Sequence, residues 1–128
     1  MLSDRPCVLI VDDVEDNREL YGVWFEQADF VVEHASDGVE ALAKVAMRAP
    51  DVVIMDIGMP NMDGIEATRR IKEHAEWRRC VVIVLTGHTA SHDLDRARAA
   101  GADDVCTKPC SPADVLALAK RHLVRVRA

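Results

Sequence analysis

Five short apolar runs separated by helical periodicity constrain this chain more than any other feature. They are "CVLIV" (Cys7–Val11), "FVVEH" (Phe30–His34), "VVIM" (Val52–Met55), "CVVIVL" (Cys80–Leu85) and "DVCT" (Asp104–Thr107). Each has strand length, and the central ones are apolar at every position rather than at alternate ones. A strand apolar on both sides must be covered on both faces, so a parallel sheet with helices on either side is expected. The intervening spacing predicts helices over about Asp16–Ala28 and Asp37–Arg48, from Ile65 on, over about Ser91–Ala100, and after Ser111. Leu20, Trp24 and Ala28 recur every four residues in the first. Val39, Leu42 and Ala46 share a face of the second, and Ile65, Thr68, Ile71 and Ala75 mark the third. Gly101 suits a left-handed cap, while Ser111 reads as an N-cap with Pro112 in the first turn and Asp114 three residues after the cap. The pattern is βα repeated five times, an α/β fold with right-handed crossovers. Periodicity alone does not give the spatial order of the strands.

The length of 128 residues fits one domain with a single core, over about residues 6–126. Apolar residues make up 49 % and charged residues 30 %, which excludes a disordered chain. The apolar runs are too short to span a bilayer. Asp4 and the lack of an early apolar stretch argue against a signal peptide. The net charge of −6 disfavours a nucleic-acid backbone binder, and the basic tail "KRHLVRVRA" reads as a solvated helix end suited to the helix dipole. Cys7, Cys80, Cys106 and Cys110 form no Cys-x-x-Cys pair, so they read as free thiols of a cytoplasmic protein rather than zinc ligands.

In the stretch "VVIMDIGMPNMDG", an apolar run leads straight into one carboxylate, Asp56. It is not alone. The first strand ends in Asp12-Asp13, the fourth in Thr86 and the fifth in Lys108; the second offers His34 or nothing, which suits an outer position. Ligands of open parallel sheets bind beyond the carboxyl ends of the strands. Singly, each group has a plain explanation: Asp13 as a helix cap, Thr86 as a turn residue beside Gly87, Lys108 as a surface cation. Together, three carboxylates in one crevice repel one another, and one lysine does not balance them. A divalent ion does, and oxygen-only ligands select a hard one such as Mg²⁺.

At these residues the chain resembles the receiver domain of two-component response regulators, over nearly its whole length. The matching elements are "VLIVDD", "ASDGVEAL", "PDVVIMDIGMPNMDG", "VVIVLTGHT" and "AGADDVCTKP". The resemblance implies a flavodoxin-like, doubly wound, five-stranded parallel sheet in the order 2-1-3-4-5, a receiver being a standard example of that order. It implies that Asp56 accepts a phosphoryl group from a phosphohistidine of a sensor histidine kinase or histidine phosphotransfer protein. Asp12, Asp13, Asp56 and the Gly58 carbonyl would hold Mg²⁺, Asp12 through water. Lys108 and Thr86 would contact the phosphoryl oxygens, and the Lys108–Pro109 bond would be cis. Asp63 is expected as a helix cap rather than a ligand. The first helix would dock the phosphodonor protein, and the face of helix four, strand five and helix five would meet a downstream protein target.

Some positions depart from the family pattern. Receivers usually carry Tyr or Phe three residues before the lysine; here it is Val105, so activation is expected to be read through the loop after Thr86, or less sharply. Cys110 stands where a bulky apolar residue is usual. Gly58 and His88 occupy positions that influence water access.

The resemblance implies a phosphoacceptor signalling domain, assisting its own phosphorylation and dephosphorylation, rather than a turnover enzyme. The chain reads as a stand-alone regulator or as a receiver fragment of a larger regulator or hybrid kinase. An aspartyl-phosphate phosphatase of the haloacid dehalogenase class would need a second Asp two residues after the nucleophile, where Gly58 stands; without that proton donor about 10²–10⁴-fold in rate is missing. A flavodoxin-like cofactor binder would need a phosphate loop where "DDVEDN" stands. A receiver that is never phosphorylated would not need the full set of acids, Thr86 and Lys108.

Overall fold

The computed structural model describes residues 5–57, 59, 61–87 and 91–127. Strands β1 (Cys7–Val11), β2 (Val31–Ala35), β3 (Val52–Asp56), β4 (Val81–Thr86) and β5 (Asp104–Thr107) alternate with helices α1 (Glu15–Gln27), α2 (Gly38–Met47), α3 (Gly64–Glu73), α4 (Ser91–Ala99) and α5 (Pro112–Arg127). All pairings are parallel, in the order β2-β1-β3-β4-β5. This is the expected flavodoxin-like α/β fold with five helices. The order reverses at β1, which places β1 and β3 side by side; Val11 pairs with Met55, so Asp12 and Asp56 follow from neighbouring strand ends.

Side chains of a strand alternate between faces, and the central strands supply apolar residues to both. Val8, Ile10, Ile54, Ile83 and Leu85 pack with Phe25 of α1 and Val115 and Ala119 of α5. Leu9, Val11, Val53, Met55, Val82 and Val84 pack with Ala41 and Val45 of α2, Ile71 of α3 and Ala97 of α4. The two layers account for the doubly apolar runs.

Helix faces are where the structure corrects the sequence reading. In α1 the buried residues are Tyr21, Gly22 and Phe25, whereas Leu20 and Trp24 are 52 % and 40 % exposed. The aromatic pair one position on fills the space over β1 and β2, and Phe25 meets Phe30 edge to face. In α2, Gly38, Ala41 and Val45 are buried, Leu42 is half-buried, and Val39 and Ala46 are exposed. At the start of α2 a Cβ on Gly38 would meet the Met62 carbonyl at 2.6 Å, so the loop before α3 presses on this end of the helix. Helix α3 buries Ile65, Thr68 and Ile71 as expected, but it ends at Glu73, leaving Ala75 in an exposed turn. That turn is held by Trp77 N–H and Arg78 N–H donating to the His74 carbonyl, with the Trp77 ring stacked on His74.

The boundary signals act as read at the other ends. Gly101 has φ +103°, Ser111 Oγ accepts from Asp114 N–H at 3.1 Å, and Asp63 caps α3 by accepting from Glu66 N–H at 2.9 Å. The four cysteines are free thiols, with Cys106 half-buried and the others buried. Among the described residues no helix is long and apolar enough to cross a membrane.

Candidate functional site

Asp56 closes β3, and only 5 % of it is exposed. Asp12 leaves β1 at the same rim and is 3 % exposed; Asp13 beside it is exposed. One carboxylate oxygen from each of Asp12, Asp13 and Asp56 lies within 4.8 Å of the others. The expected crowding of acids is therefore present. Lys108, directly after β5, sends its Nζ to Asp56 Oδ1 at 2.6 Å. Thr86 is the last residue of β4 and fully buried, and its carbonyl accepts from Lys108 N–H at 2.6 Å. The Lys108–Pro109 bond is cis. Gly58 and His88 lie outside the described residues.

Asp13 does not cap α1. Val14 stands at the N-cap without a side-chain bond, and Asp12 Oδ1 accepts from Val14 N–H at 2.8 Å. Asp12 thus orders the turn, and its other oxygen faces Asn17 Nδ2 at 3.4 Å. Arg18 Nη1 donates to the Asp12 carbonyl at 2.7 Å. Asn17 and Arg18 were not singled out from the sequence; within an acidic helix start they look like ordinary solvated residues.

Burial pushes the Asp56 carboxyl up, and Asp12 and Asp13 push it the same way; the hydrogen bond and charge of Lys108 pull against them without cancelling the rise. For Lys108, burial works to lower the pKa, but the bond and charge of Asp56 outweigh it, so the ammonium is held above its ordinary value. The pair therefore couples a carboxylate that is costly to keep charged to a cation that is held charged. Beside it opens a cavity of about 430 Å³, bordered by Ile57, Asp63, Gly87, Asp93, Arg96 and Lys108. Asp93 and Arg96 of α4 reach this rim from the far side, 3.6 Å apart, and nothing in the local sequence marked them.

The model of the response regulator receiver domain matches residues 8–120. The chain belongs to this family. Receiver domains are signalling modules of two-component systems: accepting a phosphoryl group on an aspartate is their general work, they bind Mg²⁺ at an acidic pocket, and they interact with histidine kinases and downstream targets. The chain is 31 % identical to Protein PilG of Pseudomonas aeruginosa over 121 residues, covering 94 % of this chain and 90 % of that one. It is 34 % identical to response regulator PleD of Caulobacter vibrioides, but spans only 26 % of that protein. Among solved structures, the receiver domain of a signal transduction histidine kinase from Syntrophus aciditrophicus is 34 % identical with a TM-score of 0.89, over 95 % of this chain and 92 % of that one.

At the usual aromatic position, Val105 pairs with Val84 and packs half-buried against the core layer that includes α4.

Proposed function

We propose that this chain is a single receiver domain that accepts a phosphoryl group on Asp56 from a phosphohistidine of a sensor histidine kinase or phosphotransfer protein. The observation that carries the reading is the Lys108–Asp56 contact at 2.6 Å inside a group of three carboxylates. An Asp56 oxygen attacks phosphorus in line, the phosphorus–nitrogen bond of the donor breaks, and the imidazole leaves with the electron pair. Lys108 exchanges its contact with Asp56 for one with a phosphoryl oxygen, and the Thr86 hydroxyl serves another.

Hard oxygen donors crowded this closely fit Mg²⁺. Asp12, Asp13, Asp56 and the Gly58 carbonyl are the residues that would hold it, and the ion would supply charge neutralisation on the phosphoryl oxygens. The acid group stands ready for it because Asp12 is fixed by its bond from Val14 N–H.

Helix α1 is proposed as the docking surface for the phosphodonor, supported by its outward Leu20, Val23 and Trp24. The face of α4, β5 and α5 is proposed to meet the protein target, in the cytoplasm, with no nucleic acid or membrane involved.

The test is labelling with a small phosphodonor and with a phosphohistidine donor, with Mg²⁺ and with EDTA, in wild type and Asp56→Asn. Label is expected only with the metal and only on wild type. Label kept by the variant would remove Asp56 as acceptor.

A further inference from the structure

The hydroxyl of Tyr21 has no part in the chemistry above. Tyr21 lies in the buried stripe of α1, 8 % exposed, and its hydroxyl donates to the Cys110 carbonyl at 2.7 Å, across 89 residues of sequence. Volume alone does not require that hydroxyl: one turn on, the phenyl ring of Phe25 fills the same layer without one. Cys110 O is also outside the ladder of α5, whose first bond runs from Val115 N–H to Ser111 O at 3.1 Å. A buried carbonyl outside the ladder needs another donor, and Tyr21 supplies it.

What lies on the other side of that bond is Lys108. The segment from Lys108 to Cys110 leaves the last residue of β5 and enters the cap of α5, and Pro109 has no N–H to contribute. Among the described residues, two backbone groups of this segment are tied by hydrogen bonds to other elements, beside the side-chain contacts of Lys108 with Asp56 and of Cys110 with Cys106. Lys108 N–H is held by the Thr86 carbonyl at 2.6 Å, and the Cys110 carbonyl is held by Tyr21. The ammonium that meets Asp56 at 2.6 Å thus hangs between two pins, one on β4 and one on α1.

We propose that Tyr21 is a positioning residue: by holding the Cys110 carbonyl, its hydroxyl aims the Lys108 ammonium at Asp56 and at the phosphoryl group that arrives there. This rests on the reading of Asp56 as phosphoacceptor and Lys108 as its partner. A donor is present across the working pH range, since burial above all, with the Asp12 and Asp56 carboxylates adding to it, pushes the phenol up to about 12. Removing the hydroxyl leaves every acid in place and frees one end of the segment that carries the cation. A small misplacement of a catalytic group is enough to cost about tenfold or more in rate.

The test is a double-mutant cycle in the full chain, reading the phosphorylation rate at saturating Mg²⁺ and phosphoramidate. Tyr21→Phe is expected to slow labelling about tenfold. Mg²⁺ affinity is expected to stay within about twofold, because the acids are untouched. In a Lys108→Ala background, Tyr21→Phe is expected to change the rate by less than about twofold, since the group it positions is gone. A wild-type rate in Tyr21→Phe, or the same factor lost with and without Lys108, would overturn the proposal. Should Tyr21→Phe melt below the assay temperature, p-aminophenylalanine at position 21 restores a donor in the same shape; recovery of the rate supports the proposal and a slow rate overturns it. If wild type takes no label, or Asp56→Asn keeps it, the phosphoacceptor reading itself falls and Tyr21's role with it.

Discussion

Replacing Asp12 by Asn is expected to stabilise the metal-free protein and to lose part of that gain when Mg²⁺ is added. Asp12 is 3 % exposed, with oxygens of Asp13 and Asp56 within 4.8 Å. At an effective dielectric of about 20, one like-charged pair at that separation repels by about 3.5 kcal/mol. Two such pairs, each no farther apart than that, sum to about 7 kcal/mol or more before screening. Solvent over the exposed Asp13 reduces the sum, and Lys108, whose charge Asp12 also stabilises, gives part of it back. Asn retains the Oδ1 acceptor for Val14 N–H, so the turn survives. A net gain of about 1–3 kcal/mol follows, which in a domain of this size raises Tm by roughly 4 °C per kcal/mol. Mg²⁺ at ten times its Kd adds about 1.4 kcal/mol to wild type and less to the variant, which has lost a ligand. Thermal and urea melts in EDTA and in 10-fold excess Mg²⁺ over Kd read both halves. A variant no more stable than wild type in EDTA, or an equal Mg²⁺ increment in both proteins, would refute the electrostatic account of this rim.

Two further outcomes follow from packing and from protonation. Gly64 opens α3 directly against the end of β3; a Cβ there would fall on the Asp56 carbonyl and within 2.9 Å of Met55 Cγ. Gly64→Ala is therefore expected to cost about 2–3 kcal/mol in urea melts and to slow phosphorylation, because the backbone bearing Asp56 must shift; a neutral melt and normal rate would contradict the close approach. His34 has a buried Nδ1 with no partner among the described residues, and its pKa is lowered by burial first, then by Arg18 and Lys44, against Glu26 and Glu19. The unfolded chain takes up that proton first, so stability present above 6.5 is lost as pH falls toward the lowered folded value. Urea midpoints across that window should fall less steeply in His34→Gln, and parallel curves would refute the assignment.

The fold was legible because its strands carry the signal twice. Residues such as Val8 and Leu9 are buried on opposite faces, and no exposed strand reads that way. The site was legible because polar residues directly after such runs have few structural reasons to be there; Asp12, Asp56, Thr86 and Lys108 all lie at one rim. Helix faces were less legible. Leu20 and Trp24 repeat as regularly as Tyr21 and Phe25, and spacing alone does not say which pair meets the sheet. The tie from Tyr21 to Cys110 was invisible for a different reason: it joins residues 89 apart through a side chain and a backbone carbonyl, and a carbonyl has no letter in the sequence.

A helix that only covers a sheet needs apolar residues on one face, and in α1 Tyr21, Gly22 and Phe25 already supply it. Leu20, Val23 and Trp24 are 52 %, 49 % and 40 % exposed, an excess that folding does not use. This is the face proposed above as the docking surface for the phosphodonor. The same helix follows the Asp12-Asp13 turn, donates from Arg18 to the Asp12 carbonyl, and holds the Lys108 segment through Tyr21. A protein docked on that face, as proposed above, would press on the helix that bonds to Asp12 through Arg18 and to Cys110 through Tyr21. Substitutions on that outer face, such as Trp24→Ala, should then leave labelling by a small phosphodonor unchanged while weakening transfer from a protein donor, the opposite pattern to Tyr21→Phe, which slows both.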